Sequence, residues 1–193
     1  MFKDLEASQQ MMRAWRGRTG GNGDKRRRLA ETNVPVQILV ANSGLWPHPP
    51  LEENQVAIPS TVQAQLESFA GYYGDQFEGR RLQWHHALGL VELKRSDAGN
   101  NPQELLATVP QALILLHLSE VAAATEAELN SVIGMPAANV LNQLVKIGLV
   151  YKSEQGYGMN PKFTSKHARL RLTDSSGDET SLASPAMEIT ALD

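Results

Sequence analysis

The sequence predicts an α+β fold, and three observations carry that expectation. Val36-Gln37-Ile38-Leu39-Val40 is β-branched and mostly apolar, the composition of a buried strand. Val62, Leu66, Phe69 and Tyr73 recur at i, i+4, i+7 and i+11, which lays one apolar stripe along a helix. From Pro110 onward, three short helical patterns run into a hairpin centred on Gly156.

The elements follow in chain order. Leu5, Met12 and Trp15, with Phe2 and Met11 beside them, give residues 2–15 a helical apolar side. So short a helix is marginal alone in water, so it reads as one helix of a bundle. Residues 16–33 hold Gly17, Gly20, Gly21, Gly23 and the Lys25–Arg28 run without an apolar period, and read as a basic loop. The strand at 36–40 stops at Asn42-Ser43-Gly44. Pro47, Pro49 and Pro50 then forbid regular structure, with Trp46 anchoring a proline-rich elbow. Ser60, after Pro59, suits the N-cap of the striped helix, and Gly74 is its expected stop. Arg81–His85 and Leu88–Lys94 read as strands, with Leu82 and Trp84 on one face. Ser96–Pro102 is a loop, and Glu104–Thr108 a further short strand.

Ala112–Leu118 is apolar on nearly all sides, the mark of a core helix. Thr125-Glu126-Ala127-Glu128 is a capping box opening a second helix, with Leu129, Val132 and Ile133 inward and Gly134 at its end. Pro136 fits the first turn of a third helix, whose inward residues are Val140, Leu141, Leu144 and Val145 and whose stop is Gly148. Leu149–Lys152 and Tyr157–Asn160 flank Gly156 as a hairpin, and Arg169–Leu172 adds a last strand. Three helices and a hairpin are the layout of a winged helix. Residues 173–193, acidic and serine-rich, read as a disordered tail.

Composition narrows the function. The chain has 193 residues, 41% hydrophobic and 20% charged, which suits one domain or two small ones and excludes wholesale disorder. Without cysteine there is no disulfide, thiol nucleophile or cysteine-bound metal. The first residues are not a signal peptide and no apolar run is long enough for a bilayer, so a soluble intracellular protein is the expectation. The net charge of −3 hides an asymmetry: residues 1–28 carry +5 and residues 173–193 carry −5.

Catalytic and metal signatures fail one by one. The glycines before Lys25 do not make a phosphate loop, because Asp24 intervenes, no strand precedes them and no Ser or Thr follows the lysine. His48, His85, His86, His117 and His167 form no metal-ligand spacing, and there is no Gly-x-Ser-x-Gly elbow. A winged helix invites a DNA-binding reading. The outward residues of its third helix, Asn139, Asn142, Gln143 and Lys146, hold only one positive charge, and Glu126 and Glu128 lie near by. Phosphate neutralisation supplies most non-specific DNA affinity, so nucleic acid is disfavoured.

Taken in order, the bundle helix, basic loop, Ile38-Leu39-Val40, Trp46-Pro47, amphipathic helix and Arg81-Leu82-Gln83-Trp84-His85-His86-Ala87-Leu88-Gly89 resemble the C-terminal part of the cullin homology region. Arg-Leu-Gln-Trp-x-His-x-Leu-Gly is the most specific piece. Within that family the chain is most similar to the cullin-like subunit of the anaphase-promoting complex. That likeness rests on Ser43-Gly44-Leu45 before Trp46, Leu88-Gly89-Leu90-Val91, Thr108–Leu116, Gly134-Met135-Pro136 and Lys3–Ser8, and on the acidic tail. Lys162-Phe163-Thr164-Ser165-Lys166 resembles ordinary cullins instead, which keeps an ordinary cullin fragment as the alternative. The likeness covers residues 2–180. It lacks the family's amino-terminal repeats and final winged helix, so a fragment or a reduced member is expected.

The resemblance implies residues 1–15 as the end of a helix bundle, 16–33 as a basic loop and 34–108 as the cullin α/β sheet domain. It also implies 109–172 as a winged helix with a closing strand, and 173–193 as an acidic tail or linker. The implied role is that of a non-catalytic scaffold in a RING-type ubiquitin ligase. A RING-H2 subunit would add its amino-terminal strand to the sheet and would recruit the ubiquitin-conjugating enzyme. Other anaphase-promoting complex subunits are the further partners, and no membrane is expected. Val36, Ile38, Leu39, Val40, Trp46, Leu82, Trp84, Leu90 and Leu93 are the residues expected to line that sheet. No cofactor, metal or catalytic residue is expected in this chain; the RING zinc belongs to the partner. Nucleus and cytoplasm are the expected compartments. A winged-helix DNA-binding protein is the remaining alternative.

Overall fold

The computed structural model describes residues 2–19, 34–41, 56–95, 103–165, 167–173 and 188–192. In chain order the elements are α1 (Phe2–Thr19), β1 (Gln37–Ala41), α2 (Ser60–Gln76), β2 (Gln83–His85), a 3-10 turn (His86–Leu88), β3 (Leu90–Arg95) and β4 (Gln103–Thr108). There follow α3 (Val109–Glu120), α4 (Glu126–Ile133), α5 (Ala138–Ile147), β5 (Val150–Ser153), β6 (Gly156–Met159), β7 (Arg169–Arg171) and β8 (Glu188–Leu192). Helices and sheets in this mixture are the α+β class that the sequence predicts.

The chain divides into two compact units, Met1–Asn54 with Ile58–Leu88 and Ala186–Asp193, and Gln55–Ala57 with Gly89–Pro185. The division falls between Leu88 and Gly89 and not at residue 108, because Val91 and Leu93 of β3 and Leu105 and Ala107 of β4 belong to the core of the second unit.

In the first unit, α1 and α2 cover one face of the sheet β1-β8-β2. Val36, Ile38 and Val40 alternate into a core with Met12, Trp15, Leu66, Phe69 and Tyr73, as period-two side chains on a strand must. The Trp15 ring meets Phe69 edge-on at 5.6 Å between centroids.

Four local expectations change here. Helix α1 runs on through Gly17 to Thr19, because tertiary contacts hold its last turn. Arg16 donates to the Val36 carbonyl at 2.9 Å, and the Arg18 guanidinium lies over the Tyr72 ring. Pro59, extended at φ −54° and ψ 139°, is the N-cap of α2, and Ser60 is its first helical residue. Gly74 does not stop α2: the Phe77 N–H bonds back to the Tyr73 carbonyl, and the two rings pack at 4.7 Å. Last, the 173–193 tail is not wholly unstructured, since Glu188–Leu192 forms β8 with backbone partners on both sides.

In the second unit, β3, β4 and β7 form one sheet, and α3, α4, α5 and the β5–β6 hairpin close the core. Capping boxes open α3 (Thr108 with Gln111) and α4 (Thr125 with Glu128). Gly134 and Gly148 end α4 and α5 in the left-handed conformation, where a Cβ is penalised. Pro136 lies just before α5, which starts at Ala138, and Val145 is exposed instead of inward. The expected basic run Lys25–Arg28, the Trp46-Pro47 elbow, the 96–102 loop and residues 174–187 of the tail lie outside the described residues.

Candidate strand-docking site

Sheet order singles out one place in the first unit. Among the described strands, β1 and β2 are not neighbours; each pairs with β8, which lies between them. Strand β8 runs parallel to β1, pairing Gln37 with Glu188 through Ala41 with Leu192. It runs antiparallel to β2, pairing Gln83 with Leu192 and His85 with Thr190. Two strand spacings separate β1 from β2, ~9–10 Å, which is room for one strand.

The other edge of β1 is closed by α1. The Ser8 hydroxyl accepts from the Val40 N–H at 2.9 Å and donates to the Val40 carbonyl at 3.0 Å. Arg16 takes the Val36 carbonyl in the same way. Along a parallel ladder, alternate residues turn their backbone groups to opposite sides. With Val36 and Val40 spoken for by helix side chains, Gln37, Leu39 and Ala41 remain to bond the neighbouring strand. Every buried N–H and C=O of β1 needs such a partner, so the slot beside β1 demands a strand.

One face of the slot is apolar and the other mixed. Ile38 and Val40 look into the helix core, and Trp84 packs there from β2, 6.4 Å from Phe69. On the opposite side lie half-buried Gln37 and Leu39, with His85 fully buried. Trp84 also stacks on His86 at 6.4 Å and 8° between planes. Burial, and secondarily the charge of His85, hold His86 below its ordinary value.

The nine expected site residues do not all meet. Val36, Ile38, Leu39, Val40, Leu82 and Trp84 belong to this first unit, and all but Leu39 pack into its core. Leu90 and Leu93 lie on β3, opposite Thr108 and Leu105 of β4, in the sheet of the second unit. The expectation of a single sheet is therefore corrected: the pattern repeats apolar strands, but pairing sends them to separate ladders. Trp46 lies outside the described residues. Ser8, Arg16 and the strand Glu188–Leu192 were not legible as parts of the site. A signal existed in the last, where Ile189 and Ala191 alternate with Glu188 and Thr190.

In the second unit, Asn139, Asn142, Gln143 and Lys146 are all exposed on α5. Among the described residues no group of His, Asp or Glu is placed to hold a metal ion. No helix of the described residues is long and apolar enough to cross a membrane.

A helix-backed sheet followed by three helices and a hairpin agrees with a family model, the cullin alpha+beta domain, which matches residues 40–165. The chain belongs to the cullin family. It is similar to human anaphase-promoting complex subunit 2, 31% identical over 114 residues, which is 58% of this chain and 14% of the relative. Cullin-1 of Dictyostelium discoideum is 31% identical over 94 residues, 49% of this chain and 11% of the relative. Cullin-3A of Arabidopsis thaliana is 25% identical over 187 residues, 89% of this chain and 24% of the relative. The chain thus spans a quarter or less of the length of these relatives.

Proposed function

We propose that this chain is a non-catalytic scaffold segment of a cullin-RING-type ubiquitin ligase, of the kind formed by the anaphase-promoting complex. Its part is to hold a RING-H2 subunit by strand addition, while the RING subunit recruits the ubiquitin-conjugating enzyme. The observation that carries this reading is the β1–β2 slot within a chain of the cullin family: one face rests on a helix core, and β1 can be completed only by a strand. Strand addition gives affinity through backbone hydrogen bonds and register through alternate side-chain positions. Other anaphase-promoting complex subunits are the further partners proposed, with nucleus and cytoplasm as the compartments. A role in cell-cycle protein degradation goes with the similarity to subunit 2. The likeness to Cullin-1 and Cullin-3A leaves an ordinary cullin segment as the second reading.

Co-expression with the RING-H2 subunit of the anaphase-promoting complex, followed by size exclusion, tests the proposal. A stable complex is expected, and Leu39→Pro should abolish it by removing a backbone donor on the slot side of β1. Absence of a complex with this subunit and with an ordinary cullin's RING subunit refutes the reading. The winged-helix DNA reading has little support, since the exposed face of α5 offers a single lysine.

A further inference from the structure

We propose that Glu188–Leu192 is a displaceable resident strand: it fills the β1–β2 slot in cis, and a partner's strand must evict it to dock. This inference rests on the strand-docking reading above and adds its regulation.

Three observations meet here. Strand β8 is the middle of its sheet, and without it β1 and β2 have no backbone bond to each other. Its loss therefore opens two facing edges at once, the arrangement most prone to accept an extended segment. The outer side of β1 is already taken by Ser8 and Arg16, so an incoming strand cannot pair there and leave β8 in place. Resident and partner compete for the same backbone groups. Finally, the resident arrives from far along the chain. Leu172 is fixed by its N–H to the Leu106 carbonyl at 2.8 Å, and Glu188 begins β8 only after the intervening residues 173–187.

Fifteen residues of sequence, 173–187, lie between Leu172 and Glu188, a contour length of ~50 Å. A strand supplied in cis competes at an effective concentration that a partner in trans must exceed. A partner present at lower concentration must therefore pair better than β8 or add contacts beyond the slot. The register states what such a strand needs. It runs parallel to β1, with small or apolar residues at the two positions that Ile189 and Ala191 hold, opposite Ile38 and Val40. Eviction would release Glu188 and Asp193 together with Asp174, Asp178 and Glu179, a segment of net charge −5.

The test uses the full chain and its Thr190→Pro variant, in which proline removes a donor from the middle strand. Two probes are titrated: a synthetic peptide of residues 186–193 and the RING-H2 subunit of the anaphase-promoting complex. The variant should take up the peptide while the unaltered chain does not, and should bind the RING subunit ~10-fold or more tightly, because its slot is open. Hydrogen exchange on the unaltered chain gives a reading independent of how the variant folds. Saturation with the RING subunit should deprotect residues 188–192 and leave 37–41 protected.

Equal RING affinity of the two chains, or continued protection of 188–192 in the complex, overturns the resident strand while the ligase reading stands. Peptide uptake by the variant alone, with no RING binding by either chain, upholds the resident strand and sinks the ligase reading. Failure of both probes overturns both.

Discussion

The core around α3, α4 and α5 is closed by elements drawn almost entirely from one stretch, Gly89 to Thr173, whereas the sheet beneath α1 and α2 gathers strands from residues 37–41, 83–85 and 188–192. The first arrangement is built within one continuous stretch, even where β4 pairs with β7 across the helices between them. Strand β3 returns on β4, helix follows helix, and the hairpin folds back so that Ala124 and Tyr157 exchange both backbone bonds at 2.9 and 2.8 Å. In the second arrangement the middle strand comes from the far end of the chain. Backbone pairing is indifferent to which chain supplies the donor, so a strand borrowed from a distance is the one another molecule can replace. The difference separates a self-complete module from a module with an exchangeable part.

The sharpest way to break the comparison is Phe69→Ala. Phe69 is fully buried and touches Trp15, Tyr72, Tyr73 and Trp84, so truncation should destabilise the first unit by ~3–5 kcal/mol. Urea unfolding followed by tryptophan fluorescence reads this directly, since Trp15 and Trp84 both sit in that core. An unchanged midpoint would show that the helices do not hold the sheet.

Gly156→Ala probes the other side. Gly156 has φ 121°, and an added Cβ would overlap the Ala124 carbonyl. The backbone strain alone should remove ~1–3 kcal/mol, with the overlap adding to it. Circular dichroism is the suitable measurement, and full stability of the variant would refute the close approach of hairpin and α3–α4 turn.

A smaller loss is expected from Ser8→Ala. It leaves the Val40 N–H and carbonyl buried without their partner, a penalty of ~1–3 kcal/mol. The same change uncovers the outer edge of β1, so its amides should exchange faster. If they do not, α1 is not what seals that edge.

The smallest effect is a pH dependence. His86 is held below its ordinary value near 6.5, chiefly by burial. The unfolded chain then binds the proton more readily than the folded one. The stability contributed by neutral His86 is complete above the unfolded value and falls as pH drops through that value towards the folded one. Between about pH 7.5 and pH 5, the unaltered chain should lose more stability than His86→Gln. Equal losses would show that the ring stacked on Trp84 pays no penalty for its proton.

Local order was the most legible part of the fold. The Thr125–Glu128 capping box, the stops at Gly134 and Gly148, and the stripe of Val62, Leu66, Phe69 and Tyr73 were all readable. Each depends on residues within a turn or two of one another. The hydrogen bonds from the Thr125 backbone and hydroxyl hold the exposed Glu128 carboxyl below its usual range, a local effect that needs no tertiary partner. Helix ends were less legible. Arg16 carries α1 past residue 15 by reaching the distant Val36, whereas α2 passes Gly74 through the contact of Phe77 with Tyr73 one turn back.

The site was half legible for the same reason. Composition marks Val36–Val40 as a buried strand, and similarity of sequence assigns the chain to the cullin family. Composition does not name the strand next door, because every non-proline residue presents the same N–H and C=O. Leu90 and Leu93 carry the same apolar signal as Leu39, yet their ladder is β4 and not β8.

By itself, then, the sequence determined the class of fold, the helix starts and stops set by caps and glycines, and the apolar faces, all of them short-range consequences of side-chain chemistry. Only the tertiary structure decided that β1 is sealed on one side by Ser8 and Arg16, that its other side belongs to residues 188–192, and that β3 lies in a separate core. The first two outcomes turn on backbone groups meeting across long separations in the chain, where geometry and not residue type selects the partner, and the third on which core the β3–β4 pair packs into.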